Sequence, residues 1–77
     1  MEYKMEEKLK SVVERAVPGV DVSKITRDTK LVDDLGFDSL ALMMLAMGIE
    51  DSFGYRFNEF VRFDTFGEVC DYLAARV

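Results

Sequence analysis

Apolar side chains recur every three to four residues in three separate stretches of this 77-residue chain, and no stretch reads as a strand alternating apolar with polar. A chain patterned this way must bury its apolar surface by packing helix on helix. Over residues 2–16, Met5, Leu9, Val12, Val13 and Ala16 share one helical face, and Pro18-Gly19 ends the helix. Residues 17–37 form a long connection, anchored to the core by Ile25, Leu31, Val32 and Leu35, with a helical turn near 30–35. Asp38 is placed to cap a second helix running to about Phe53, with Gly54 suited to its C-terminal cap. Thr65 and Glu68 match a capping box at the head of a last helix over about 66–76. Its apolar stripe is Phe66, Val69, Cys70, Leu73 and Val77, which makes Cys70 a small core residue. The aromatic-rich segment 55–64 is read as holding one short helix. The predicted architecture is all-α: a small bundle of three main helices plus one short helix, with a long loop between the first two.

The length suits a single domain over residues 1–77. A domain of this size buries only about 60% of its unfolded surface, so its stability margin is thin. No stretch approaches the roughly 18 uninterrupted apolar residues of a membrane span. The charged opening residues predict a cytoplasmic protein without a leader. A single cysteine forms no internal disulfide, and with no histidine there is no ligand set for a zinc site. Without histidine the usual general base is missing too, which argues against a nucleophilic enzyme. Residues 1–30 carry seven Lys/Arg against six Asp/Glu, whereas residues 31–77 carry three against nine. That acidic half repels phosphate backbones and excludes nucleic acid as the expected partner. It suits partners with basic patches, although many acidic proteins are acidic for solubility alone.

The second helix has two apolar stripes back to back. Leu42, Leu45, Ile49 and Phe53 fall on one face; Leu40, Met43, Met44, Met47 and Asp51 fall opposite. Such a helix is either buried all round or offers its methionine-rich side as an adaptable docking surface. Ser39 stands in the first turn, where N–H groups and the helix dipole favour an anion such as a phosphate on its hydroxyl. A serine there can equally serve only the backbone.

The octapeptide Asp33-Asp34-Leu35-Gly36-Phe37-Asp38-Ser39-Leu40 resembles the attachment motif of acyl carrier proteins, in which D-S-L heads the second helix. The likeness extends to the first helix, the long loop, Glu50-Asp51-Ser52-Phe53-Gly54, and the run from Thr65 to Leu73. The resemblance implies an acyl-carrier fold and a protein that is not an enzyme. A phosphopantetheinyl transferase, using coenzyme A and magnesium, would attach 4′-phosphopantetheine to Ser39. Acyl groups would then ride as thioesters on that arm, presented by a monomer to acyl-transferring and chain-processing enzymes with basic and apolar docking patches. Asp34 and Asp38 would steer those partners, Leu40, Met43, Met44 and Met47 would supply apolar contact, and Glu50 and Asp51 would close the far end.

Two departures from the family stand out. Where typical fatty-acid carriers place acids after D-S-L, this chain reads Ala41-Leu42-Met43-Met44. After Phe53, two arginines and four aromatics in residues 55–63 replace an acidic stretch, apparently about two residues shorter. Phe57, Phe60 and Phe63 either fill the core beside Phe53 and Phe66, or form an acyl pocket or docking patch. Both fatty acid synthesis and a specialised pathway remain open. The rival readings are a free-standing aminoacyl or peptidyl carrier, disfavoured by Leu35-Gly36-Phe37-Asp38-Ser39, and a helical interaction module with no arm.

Overall fold

Leu9, Val12, Val13 and Ala16 are all buried along one side of α1 (Glu2–Ala16), as their spacing requires. The computed structural model describes residues 2–58 and 61–76. After α1 comes a 3₁₀ turn, Val22–Lys24, then α2 (Ser39–Phe53) and α3 (Phe66–Ala74). Both later helices are capped as expected. Asp38 accepts the N–H of Ala41, Gly54 ends α2 in the left-handed conformation (φ 66°), and Thr65 accepts the N–H of Glu68. The reciprocal half of the capping box reaches one residue further out, because Glu68 accepts from the N–H of Asp64.

The core forms where these faces meet. Leu45 and Ile49 of α2 and Phe66, Val69, Cys70 and Leu73 of α3 join the α1 stripe, with Ile25, Leu31 and Phe37 from the connection. Leu42 and Phe53 are only half-buried at its edge. Val77 lies outside the described residues.

Two expectations need correction. Val32 is exposed instead of anchoring the loop. In the turn of residues 30–35, Leu31 and Leu35 are four apart and point inward together; Val32 is one step round and points out. The short helix lies at Val22–Lys24, and the described residues of 55–64 hold none. Tyr55, Phe57, Val61 and Phe63 are half-buried while Arg56, Asn58, Arg62 and Asp64 are exposed, a period of two. The alternation was in the sequence, interrupted at residues 59–60, and it competes with any helical period there.

The long connection is held by backbone hydrogen bonds to the start of α3. Leu31 donates to the carbonyl of Asp64, Phe66 to that of Thr29 and Gly67 to that of Arg27, each at 2.9 Å. Arg27 Nη2 also donates to both carboxylate oxygens of Asp71, at 2.8 and 2.7 Å, and this pairing raises the Arg27 pKa above its ordinary value. Solvent screens this exposed pair, so the backbone bonds carry the junction.

Helices α1 and α2 pack tightly at Gly48, where a Cβ would come within 2.6 Å of Val12 Cγ1. Gly48→Ala isolates this contact. Alanine at a helical glycine normally stabilises by about 0.5–1 kcal/mol, but overpacking against a stiff β-branched neighbour costs about 1–3 kcal/mol. Urea unfolding should show a net loss of stability; a gain would mean the helices separate freely here.

Candidate functional site

The turn before α2 determines where Ser39 points. Asp34 and Gly36 donate their N–H groups to the carbonyls of Lys30 and Val32, and the Asp34 carboxylate accepts the N–H of Lys30 at 2.8 Å. Gly36 leaves the turn at φ 76°, a conformation that side chains resist. Phe37 then drops into the core, its N–H bonded to the carbonyl of Leu31 at 3.0 Å. Two residues after this anchor, Ser39 begins α2 exposed to solvent.

Asp38 does the capping, with its Oδ1 2.8 Å from the N of Ala41. The Ser39 hydroxyl is therefore not needed by the backbone, and it takes part in no hydrogen bond among the described residues. It is an accessible oxygen in a first turn whose dipole favours an attached phosphate. The flanking carboxylates of Asp33, Asp34 and Asp38 are exposed to solvent, which screens their repulsion.

The second apolar stripe of α2 is exposed. Leu40 is 64% accessible, Met43 55%, Met44 42% and Met47 65%. Val32, at 47%, is the remaining large apolar side chain exposed among the described residues. A helix buried all round is thus ruled out. Exposed apolar side chains gathered on one helix face are what a docking surface needs. Asp51 is exposed at the far end of α2, whereas Glu50 is half-buried and accepts the N–H of Phe57 at 3.0 Å. Glu50 thereby ties the 55–58 strip to the end of α2, a role its place in the sequence did not suggest.

On the opposite side of α2, Leu42, Leu45 and Ile49 meet Phe57, Val61 and Phe63 around a half-open apolar cavity of about 240 Å³. The aromatic segment both packs on the core and walls this space. Phe57 stacks on Tyr72 at 5.8 Å between ring centres, Phe63 meets Tyr72 edge-on at 5.3 Å, and the hydroxyls of Tyr55 and Tyr72 are 3.0 Å apart. Phe60 lies outside the described residues. Among the described residues no His, Cys, Asp and Glu side chains gather as a metal site, and no helix is long and apolar enough to cross a membrane.

Comparison with known proteins agrees with this geometry. Residues 7–73 match the family model described as a phosphopantetheine attachment site. The chain is 36% identical over 72 residues to an acyl carrier protein of Thermotoga maritima, covering 91% of this chain and 88% of that protein. An acyl carrier protein of Desulforapulum autotrophicum shares 43% identity over 49 residues, 64% of each chain.

The two faces of α2 should respond differently to truncation. Leu45→Ala is expected to cost about 2–5 kcal/mol and Met47→Ala well under 1 kcal/mol in denaturant unfolding. Equal costs would contradict the division of α2 into a core side and an open side.

Proposed function

The chain belongs to the acyl carrier protein family, and we propose that residues 1–77 form one acyl carrier domain with 4′-phosphopantetheine attached through Ser39. Members of the family carry acyl groups and catalyse nothing themselves. The observation that carries the assignment is the unpartnered, exposed hydroxyl of Ser39 on a helix already capped by Asp38. When bound, phosphopantetheine supplies a thiol that holds an acyl group as a thioester. Ser39 supplies the oxygen that tethers it, and Phe37 and Gly36 hold that oxygen outward.

Leu42 of the cavity wall lies one helical turn beyond Ser39, about 4.5 Å along the axis. The cavity exceeds the roughly 150 Å³ of an apolar cavity known to admit benzene, so it can shelter at least a short acyl chain. The partners are a phosphopantetheinyl transferase and the enzymes that load and process the acyl group. In this reading Asp34, Asp38 and Asp51 steer basic partners, Leu40, Met43, Met44 and Met47 supply the contact, and Glu50 braces the end of α2. In this reading the chain is a monomer that docks its partners through this one face of α2. The neutral run Ala41–Met44 favours a dedicated partner set in specialised biosynthesis over general fatty acid synthesis.

The first test is intact mass after incubation with coenzyme A and a broad-specificity transferase. The parent chain should gain one phosphopantetheine. Ser39→Ala should gain none while keeping its helical circular dichroism; a persistent gain would put the arm elsewhere.

The second test concerns salt. Attraction between surface charges is screened over about 8–10 Å at physiological ionic strength, whereas apolar contact is not. Transferase binding should therefore weaken only modestly from low to high salt, and Met44→Glu should steepen that dependence. A steep dependence in the parent, unchanged by Met44→Glu, would make charge and not the methionine face the source of affinity.

A further inference from the structure

Among the described residues the sulfurs are unevenly placed. Met43, Met44 and Met47 are exposed on the open face of α2. Met5 is half-buried against the core, and the Cys70 sulfur is buried within it. A soluble oxidant therefore reaches thioethers on the face read above as the docking surface before it reaches the thiol. Thioether oxidation makes a flexible apolar side chain polar and chiral, and cells possess reductases that reverse it.

We propose that Met43, Met44 and Met47 form a reversible oxidation site, and that sulfoxide formation there switches off partner docking. The inference rests on the reading of the α2 face as the partner surface. In the forward step a peroxide transfers one oxygen atom to the methionine sulfur. The O–O bond breaks, an S–O bond forms, sulfur loses two electrons and, with hydrogen peroxide, water leaves. In the reverse step a reductase's thiols return the two electrons, releasing the oxygen as water and forming a disulfide on the reductase.

The placement makes the switch local. None of the three belongs to the buried core, and they lie on the side of α2 away from Leu45 and Ile49, so oxidation leaves the packing of those two residues intact. On docking, each sulfoxide oxygen would enter an apolar contact without a hydrogen-bond donor, which opposes binding. Leu40 and Val32 are exposed too but cannot be oxidised in this way, so the methionines alone confer the sensitivity.

The test uses the full chain before arm attachment, so no arm thiol competes for oxidant. The chain is treated with hydrogen peroxide, and peptide mapping locates the added oxygen. Loading by a broad-specificity transferase with coenzyme A is then compared before and after treatment. Oxygen should appear on Met43, Met44 and Met47 ahead of Met5, with helical circular dichroism retained. Loading efficiency should fall by about tenfold or more, and methionine sulfoxide reductases should restore it. The chain carrying Met43→Leu, Met44→Leu and Met47→Leu together, compared only with itself, should load equally before and after peroxide. Met5→Leu should remain as sensitive as the parent. Sulfoxides that leave loading unchanged, a loss of helix that accompanies oxidation, or an equal loss in the triple variant would each overturn the switch. A parent chain that is never loaded, oxidised or not, instead refutes the carrier reading and this inference with it.

Discussion

The whole structure depends on α2 being packed from one side only. Gly48 lets α1 come close enough for Val12 to touch the α2 backbone, and this seats Leu45 and Ile49 deep in the core. None of the described elements covers the other side, so the methionines there are open, and the buried core does not include them. One helix thus supplies both a central part of the core and the exposed apolar face proposed as the docking surface.

The same division explains why Ser39 is available. A serine at a helix start usually satisfies the first-turn N–H groups. Here Asp38 takes that task, Gly36 turns the chain, and Phe37 fixes it from below. The hydroxyl is left over, held in place by its neighbours and used by none of them. The proposed attachment point thus pairs an unoccupied hydroxyl with a helix start set by its neighbours.

Much of this was legible in the sequence. The three helices, their caps and the two stripes of α2 follow from spacing alone, since helix periodicity and capping are local properties. The octapeptide around Ser39 added what spacing could not, a reason to treat one serine differently from others. Tertiary pairings were not legible. Nothing local distinguishes Val32 from Leu31 as the outward residue, or marks Glu50 as the acceptor for the N–H of Phe57. Phe37 is buried because the turn at Gly36 aims it inward, and its neighbours in sequence are all polar or glycine except across that turn. The alternating burial of the described residues of 55–64 could have been found, because Tyr55, Phe57, Val61 and Phe63 alternate with polar residues. The segment's aromatic content drew attention away from its period.

The seam between the long connection and the head of α3 bears on how the chain folds. Helical proteins fold quickly when their contacts are close in sequence, and slow down as loops must close over greater separations. Each helix here can wind locally. The seam cannot: the Arg27–Asp71 pair spans 44 residues, and the backbone bonds from Phe66 to Thr29 and from Leu31 to Asp64 close similarly long intervals. The demanding event in folding is closure of that loop around a formed α2, and the topology of the chain, more than its helical propensity, sets the pace.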